Sequence, residues 1–435
     1  MKRRYRTADQ NWVRERNLAI VLDYLWEAGG PISRTRLTEI SGLNKSTVGS
    51  LLTQLQTWGL VRESGTLGQR PGRPGVLIDL NPDAGRLIGA EIGVGFVSAI
   101  VTDLKANVVW QHKIDIPNGE TKEPACGQAD VLNQAEQLVQ EAIGQATASN
   151  RRLLGIGLGV PGLVDHTTGT LLFAPNLGWS NVPLRDMWRR RFGVPVVVEN
   201  EANAAALGER MLGVARQVDN FVYLSAGVGL GGGLVIDGKL YGGMGGFAGE
   251  IGHMTLEPNG PQCKCGNRGC WETLIGPTAI IQKARQAASE GCTPKLLALR
   301  AVDGDVNAIR MEHVLQAAAQ GEPAIIEDLD EVGRYLGIGI ANLINAFNPS
   351  LVVLGGMLSL AGPYILPCAQ QEVQRRALAA ARSGAKIIVS AFKFDACVMG
   401  GVSLIVREIL SNPTAWQPTP APAFDEQASF AASVL

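Results

Sequence analysis

The sequence predicts an α/β protein in two parts, a small head of helices and a hairpin over residues 1–82 and a larger body over residues 86–411. Apolar residues of the head recur at helical spacing, and the strand and helix pattern of the body occurs twice. Many of the 53 glycines follow apolar runs in short loops, as ligand-binding turns require. A tail over residues 412–435 is rich in Pro and Ala, and we expect it to be poorly ordered.

The composition is that of a globular protein with its own cores. The 435 residues are 46% hydrophobic and 18% charged, which argues against a disordered chain. The sequence has no apolar run of about 18 residues, and its basic N-terminus lacks the apolar stretch of a secretory signal. Three of the seven cysteines are crowded together, which is typical of metal ligands in a reducing compartment. We therefore expect a cytoplasmic protein without a membrane partner.

Three helices are predicted in the head. The first ends near Gly29, Ser33 caps the second and Asn44 caps the third. The third helix has an apolar stripe on one side and short polar residues on the other, which suits a recognition helix in the major groove. The residues expected to contact DNA here are Arg34, Asn44, Lys45, Ser46, Thr47 and Ser50. The helices alone fit an ordinary three-helix bundle equally well.

A hairpin after the helices favours DNA binding. Residues 60–63 and 76–80 are predicted strands, and the loop between them presents Arg70 and Arg73 among prolines. Such a loop can lie along the DNA phosphates or enter the minor groove. The alternative is a surface hairpin whose arginines only keep it soluble. Residues 1–80 hold 12 Lys and Arg against 7 Asp and Glu, in a chain of net charge −1. We therefore interpret the head as a winged helix-turn-helix with a polyanionic partner.

The body shows the same order of elements twice. Its first half has predicted strands over 87–94, 97–104 and 108–114, a helix over 129–146, strands over 153–160 and 195–198, and a helix from Glu201. Its second half has strands over 220–236, a helix over 327–347, a strand over 351–354 and a helix over 397–410. This repetition predicts two lobes with a ligand cleft between them.

A cluster of metal-ligand residues lies in the second half. His253 precedes Cys263, Cys265 and Cys270 in a glycine-containing loop over residues 253–272. Thiolates and an imidazole at this density suit tetrahedral Zn²⁺ with no position left for water, which is the pattern of a structural site. Free thiols in a loop are the alternative.

The stretch GFAGEIGHMTLEPNGPQCKCGNRGCWE resembles the signature of the ROK family of repressors and sugar kinases. With GLNKSTV, APNLGW and ENEANAAALGE, the resemblance covers essentially the whole chain and is strongest to xylose-operon repressors of that family. It implies a two-lobed, actin-like (RNase H-like) sugar-kinase fold and Zn²⁺ on the four residues named above. It also implies that sugar hydroxyls contact Asn176, Asn200, Glu201, Glu250, Glu272 and His253.

Three departures from the family's kinases point away from phosphotransfer. Glu201 replaces the Asp that serves as general base, and a displacement of about 1 Å can cost roughly a hundredfold in rate. The first glycine-rich phosphate loop lacks the Thr of the kinases, and the Val94 side chain lies where the backbone should approach the phosphate. In the second loop, Val228 stands where a hydroxyl would donate to phosphate. We therefore expect no enzyme activity, whereas the alternative is an ATP-dependent sugar kinase with an attached DNA-binding head.

Together these features predict a sugar-responsive repressor of a xylose or other sugar-utilisation operon, released from operator DNA when a small sugar binds. A homodimer or a dimer of dimers would match a palindromic operator. The residues leave open which sugar binds, because Asn and Glu suit glucose as well as xylose. They also leave open the operator sequence and whether the regulation is repression or activation.

Overall fold

The computed structural model describes residues 9–66, 75–117, 126–299, 302 and 304–417. The chain divides into two compact units. One consists of the described residues of Met1–Ala84 and Val406–Leu435, and the other is Gly85–Ile405. Within the described part of the chain, every helix is too short or too polar to span a bilayer.

The head is a helix-turn-helix beside a small antiparallel sheet of strand order β1-β3-β2. Its elements are α1 (Gln10–Ala28), β1 (Ile32–Ser33), α2 (Arg34–Ser41), α3 (Lys45–Thr57), β2 (Val61–Thr66) and β3 (Val76–Leu80). Both predicted caps form: the Ser33 hydroxyl accepts from the Arg36 N–H at 3.1 Å, and Asn44 Oδ1 accepts from the Thr47 N–H at 2.8 Å. The expected helices and hairpin strands are therefore confirmed.

The head's core comes from the predicted apolar stripes. Its buried helical side chains include Leu18, Val21, Leu22, Leu25, Leu37, Val48, Leu51, Leu52 and Leu55. Trp58, the C-cap residue that follows the last helical residue of α3, is only half-buried. The predicted wing residues Arg70 and Arg73 lie outside the described residues.

The expected disorder of the tail is wrong at its beginning. Residues Pro413–Trp416 form a short 3₁₀ helix that packs against α1. Trp416 is buried, and the large apolar area of an indole removed from water stabilises this contact. Residues 418–435 lie outside the described part of the chain.

The body contains the two predicted lobes. The first lobe comprises β4 (Arg86–Gly93), β5 (Phe96–Asp103), β6 (Val108–Asp115), α4 (Gln128–Thr147), β7 (Leu153–Val160), β8 (Leu163–Asp165), β9 (Thr170–Ala174), β10 (Trp179–Val182), α5 (Leu184–Phe192), β11 (Val196–Asn200) and α6 (Glu201–Leu212). The second comprises β12 (Phe221–Ala226), β13 (Leu230–Ile236), β14 (Lys239–Leu240), α7 (Glu272–Ile275), α8 (Pro277–Ser289), α9 (Pro294–Leu297), α10 (Met311–Ala319), α11 (Pro323–Phe347), β15 (Leu351–Gly356), α12 (Met357–Arg376), α13 (Ala379–Arg382) and β16 (Lys386–Val389). The last helix, α14 (Ala396–Ser411), packs closely on β4 and β7 of the first lobe at Gly89 and Gly157.

The two main sheets have matching topology. In the first, of order β11-β7-β4-β5-β6, strands β4 to β6 form an antiparallel meander and β7 and β11 add in parallel. In the second, of order β14-β13-β12-β15-β16, an antiparallel meander is again extended by two parallel strands. Each sheet packs against its own apolar core. The predicted duplication is therefore confirmed.

Several elements of the body have weak sequence signals. The antiparallel sheet β10-β9-β8 consists of strands of three to five residues, too short for a clear periodicity. Helix α12 contains Pro363 and Pro367, which normally argue against a helix interior. These elements matter here because the loop between β9 and β10 carries Asn176, one of the predicted sugar ligands.

Candidate functional site

The four predicted metal ligands converge. One donor atom from each of His253, Cys263, Cys265 and Cys270 lies within 4.8 Å of all the others. Cys263 Sγ is 3.7 Å from His253 Nδ1, and Cys265 Sγ is 3.7 Å from Cys270 Sγ. Tetrahedral Zn²⁺ with Zn–S bonds of about 2.3 Å would separate two sulfur atoms by about 3.8 Å. The donor set is therefore capable of holding a metal ion.

The loop that carries these donors has few apolar residues and is held by backbone pairing. Isolated bridges join Thr255 to Cys270 and Gln262 to Arg268. Gly269 has a φ of +62°, and a Cβ there would lie 1.5 Å from the Glu257 carbonyl oxygen, so another residue type would force the loop apart. After Cys270 the loop is anchored by the fully buried Trp271.

A pocket beside this cluster contains all six predicted sugar ligands. The pocket, hereafter the polar pocket, has a volume of about 310 Å³. Its walls include Asn176, Asn200, Glu201, Glu250, His253 and Glu272. These carboxylates and amides belong to separate sequence motifs of the family, and the structure places them around one pocket.

Local structure places the carboxylates. Asn200 and Glu201 lie at the junction of β11 and α6, where Asn200 Oδ1 accepts from the Ala202 and Asn203 N–H groups as the N-cap. Glu272 begins α7, and its Oε1 accepts from the Cys263 thiol at 2.9 Å. Glu250 precedes the turn that ends at His253, whose Nε2 faces its carboxylate at 3.9 Å. Glu250 and Glu272 thus contact the cluster formed by His253, Cys263, Cys265 and Cys270, hereafter the metal-type cluster.

Burial and like charge raise the carboxyl pKa values in the pocket. Burial, followed by the charge of Glu250, raises the pKa of Glu201 to about 7. Burial also raises the pKa of Glu250, although His253 opposes that shift. Near neutral pH the pocket therefore contains carboxyl groups able both to donate and to accept hydrogen bonds, which suits the hydroxyls of a sugar.

Sequence reasoning missed three residues around the pocket. Phe173 at the end of β9 is half-exposed and forms an aromatic wall. Glu199 is buried and accepts from the Asn200 N–H at 2.8 Å and from the Asn203 side chain at 3.2 Å. His166 Nδ1 lies 3.0 Å from Glu199 Oε2, and its Nε2 lies 3.1 Å from the Gly246 carbonyl oxygen. Glu199 adjoins the ENEANAAALGE motif, but no local pattern pointed to Phe173 or His166.

A second cavity, hereafter the inner cavity, adjoins the polar pocket. It has a volume of about 230 Å³, and its lining includes Val94 and Val228, the two valines of the glycine-rich phosphate loops. Glu91 is buried in it, and the Cys397 thiol hydrogen-bonds to its carboxyl. Burial, and then the charge of Glu201, raises the pKa of Glu91 to about 8. The inner cavity thus holds a neutral carboxylic acid near pH 7.

Of the residues predicted to contact DNA, some are exposed on the head and others are hydrogen-bonded within it. Lys45, Ser46 and Ser50 are exposed on α3, whereas Asn44 is used as the cap. Arg34 donates to Glu63 of β2 at 2.9 Å and so joins α2 to the hairpin. Sequence reasoning missed Arg14, which reaches from α1 to the Ser50 hydroxyl at 3.2 Å and to Gln54 Oε1 at 2.8 Å. The exposed face of α3 is therefore more basic than its own sequence indicates.

Comparison with known proteins matches both units. The ROK family model covers residues 87–408, and an IclR helix-turn-helix domain model covers residues 17–65. A xylose repressor from Caldicellulosiruptor bescii is 36% identical over 382 residues, which span 88% of this chain and 93% of that protein.

Two solved structures extend the comparison. A ROK family transcriptional regulator, described as a homologue of the E. coli MLC protein, matches with a TM-score of 0.75 and 30% identity over 92% of this chain and 97% of that one. A ROK family glucokinase from Streptomyces griseus in complex with glucose and AMPPNP matches with a TM-score of 0.65 and 32% identity, over 74% of this chain and 99% of that one. From the family match over most of its length, we conclude that the chain belongs to the ROK family.

Proposed function

We propose that this protein is a sugar-responsive, DNA-binding transcriptional repressor of a xylose or related sugar-utilisation operon, acting in the cytoplasm. The observation that carries the proposal is a helix-turn-helix head joined in one chain to a pocket of carboxylates and amides beside a metal-type cluster. The relative named a xylose repressor matches over both parts of the chain, which supports the proposed repressor function. The functional division we propose is a DNA-binding domain over 1–82, a sugar-binding domain over 86–411 and a tail over 412–435.

In the head, α3 is the proposed recognition helix. Lys45, Ser46, Thr47 and Ser50 are its groups for phosphates and base edges, with Arg70 and Arg73 on the wing. Asn44 and Arg34 contribute chiefly by holding α3 and the hairpin, because their side chains are bonded within the head. Arg14 adds a positive charge beside Ser50.

In the body, the proposed sugar ligands are the six residues that line the polar pocket. Carboxylates and amides bind adjacent hydroxyl pairs, and Phe173 offers an apolar wall for the C–H face of a sugar ring. Structural Zn²⁺ on His253, Cys263, Cys265 and Cys270 would stabilise the loop that carries Glu250 and Glu272. The spacing of the donor atoms and their thiol and imidazole chemistry support that ion.

The kinase alternative is weaker. The glucokinase likeness covers the body and leaves the head unexplained. In addition, Val94 crowds the first phosphate loop and Val228 replaces a hydroxyl donor in the second. The ionised form of Glu201 would also oppose a polyphosphate. We therefore propose that the chain binds a sugar without phosphorylating it.

Induction requires a coupling between the two ligands. We propose a homodimer, or a dimer of dimers, whose two heads bind the halves of a palindromic operator. If the sugar binds more tightly to the state with low DNA affinity, it weakens operator binding by the same factor. The proposal needs no phosphate chemistry, only two states of different sugar affinity.

DNA selection from random sequence tests the head directly. We expect a palindromic consensus, and Lys45→Ala should weaken binding to it and reduce the slope of log affinity against log salt by about 1. Lys239→Ala, at an exposed position in the body, serves as the charge-matched control. Failure to enrich any sequence, or ATP consumption by purified protein with a panel of pentoses and hexoses, would overturn the proposed function.

A further inference from the structure

We propose that the inner cavity is a second saccharide subsite, so that the preferred effector is a disaccharide or glycoside linked through the hydroxyl that faces Glu201. This inference rests on the proposed sugar-responsive function and extends it. It assigns a ligand class to a cavity that the proposed monosaccharide site does not use.

The two cavities adjoin each other. They share the walls formed by Pro161, Asn176, Glu201 and Gly229, with Glu201 between the two spaces. The polar pocket of about 310 Å³ is at the small end of typical ligand sites, and the inner cavity adds about 230 Å³ beyond it. A sugar ring in the polar pocket with a substituent on the hydroxyl beside Glu201 would direct that substituent into the inner cavity.

The deep side of the inner cavity offers neutral hydrogen-bonding groups. They are the Glu91 carboxyl and the hydroxyls of Ser98, Tyr223 and Ser225. Because burial raises the pKa of Glu91 to about 8, this carboxyl is protonated near pH 7 and can both donate and accept. Such a set matches the hydroxyls of a second sugar ring better than it matches a phosphate.

Two cations, Lys113 and Lys393, also line the inner cavity, and Lys113 lies close to an aromatic ring and to an acidic group. Lys113 Nζ lies 4.4 Å from the centre of the Phe96 ring and 3.7 Å from Asp115 Oδ1. Lys393 is exposed, and Asp395 lines the same cavity. The ring of Phe96 supplies an apolar wall, as in most small-molecule sites.

Calorimetric titration of the full-length protein tests the second subsite. The probes are D-xylose and D-glucose, with xylobiose, cellobiose, gentiobiose and isomaltose as disaccharides that differ in their linkage. We expect at least one disaccharide to bind about tenfold more tightly than either monosaccharide and to release the selected operator at a correspondingly lower concentration. If every disaccharide binds more weakly than the monosaccharides, the subsite does not exist.

Substitutions in the inner cavity make the test specific. Val228→Phe should fill the cavity and abolish the disaccharide advantage while leaving monosaccharide affinity within about twofold, since Val228 lines the inner cavity and is not a wall of the polar pocket. Val109→Phe, on the exposed face of β6, is the matched control. If Val228→Phe lowers thermal stability too far, Ser98→Leu fills the cavity from another strand and should have the same effect.

The remaining outcomes separate the inference from the function on which it rests. An unchanged disaccharide preference in the filled variants overturns the inference, as does competition between MgATP or inorganic phosphate and the disaccharide. Release of the operator by monosaccharides alone removes the second subsite and keeps the repressor. If no saccharide of either size binds, both proposals fail.

Discussion

The two sides of the cleft in the body keep different parts of a sugar-kinase site. The polar pocket has carboxylates and amides beside a metal-type cluster, held by caps and by contacts to the cysteines. The inner cavity keeps glycine-rich turns on equivalent strands of the two sheets, but these turns carry Val94 and Val228 and lack the Thr hydroxyls that donate to phosphate. The strand-to-strand geometry needs the glycines whether or not a phosphate binds, whereas the hydroxyls serve only phosphate. In the repressor that we propose, sugar recognition is therefore kept without phosphotransfer.

The largest effect should come from the metal-type cluster. Cys270→Ser removes a buried donor, and we expect loss of bound zinc, a fall in the free energy of unfolding of several kcal/mol and no sugar binding. Metal analysis and thermal unfolding of the purified protein measure this. Cys292→Ser, at an exposed cysteine outside the cluster, should retain zinc and stability. Equal zinc content in both variants would contradict a four-ligand site.

The inner cavity should dominate the pH dependence of stability. The folded pKa of Glu91 is about 8 against an unfolded value of 4.5, so folding favours the protonated acid. Its contribution is complete below pH 4.5 and is lost as the pH rises through about 8. Glu91→Gln should therefore gain up to about 5 kcal/mol relative to the parent protein over that range.

Urea unfolding of both proteins at a series of pH values measures this difference. Glu15→Gln, at an exposed carboxyl of the head, should follow the parent curve. If the free energies of unfolding of Glu91→Gln and the parent protein change with pH in parallel, Glu91 is ionised at neutral pH. The inner cavity would then contain a negative charge rather than a neutral acid.

The polar pocket should dominate sugar affinity. Glu250→Gln keeps the shape of the side chain but removes its charged acceptor, and we expect about a 10- to 100-fold weaker affinity for the sugar. Affinity for DNA without sugar should not change, since Glu250 lies in the body rather than in the head. Calorimetry measures the first quantity and fluorescence anisotropy the second. Glu290→Gln, on an exposed helix end, should alter neither one.

The smallest effect should follow from a hydroxyl added to the phosphate side. Val94→Thr adds a hydroxyl donor to the first glycine-rich turn but leaves Val228 and Glu201 unchanged. Monosaccharide affinity should stay within about twofold, and ATP consumption should stay at background because a single donor does not rebuild the site. Sugar-dependent ATP turnover in this variant would show that one substitution separates the repressor from a kinase.

Local chemistry made some of the site predictable. The caps at Ser33 and Asn44 and the cysteines of the 253–272 loop depend on neighbours within a few residues, so their spacing reveals them. The order of strands and helices along each half of the body is also predictable, because the same pattern occurs twice. The set of sugar ligands came from family motifs rather than from periodicity, since Asn176 and Glu272 are far apart in sequence.

Long-range contacts were not predictable. Glu91 meets Cys397 from the opposite end of the body, and neither residue carries a local signal for that contact. Phe173 and His166 lie on strands and turns too short to show a period. Trp416 was assigned to the tail by composition, although burial of its indole decides its structure. Such features depend on tertiary packing, which overrides local propensity.

Control of DNA binding by the polar pocket is tested most directly by operator affinity, measured by fluorescence anisotropy with and without a saccharide that calorimetry shows to bind. We expect saturating saccharide to weaken operator binding by about 5- to 150-fold and DNA to weaken saccharide binding by the same factor. Glu250→Gln should move the midpoint of this response to higher saccharide concentration without changing its full extent. Unchanged operator affinity at saturation with a bound saccharide would contradict the central claim that the pocket controls the head.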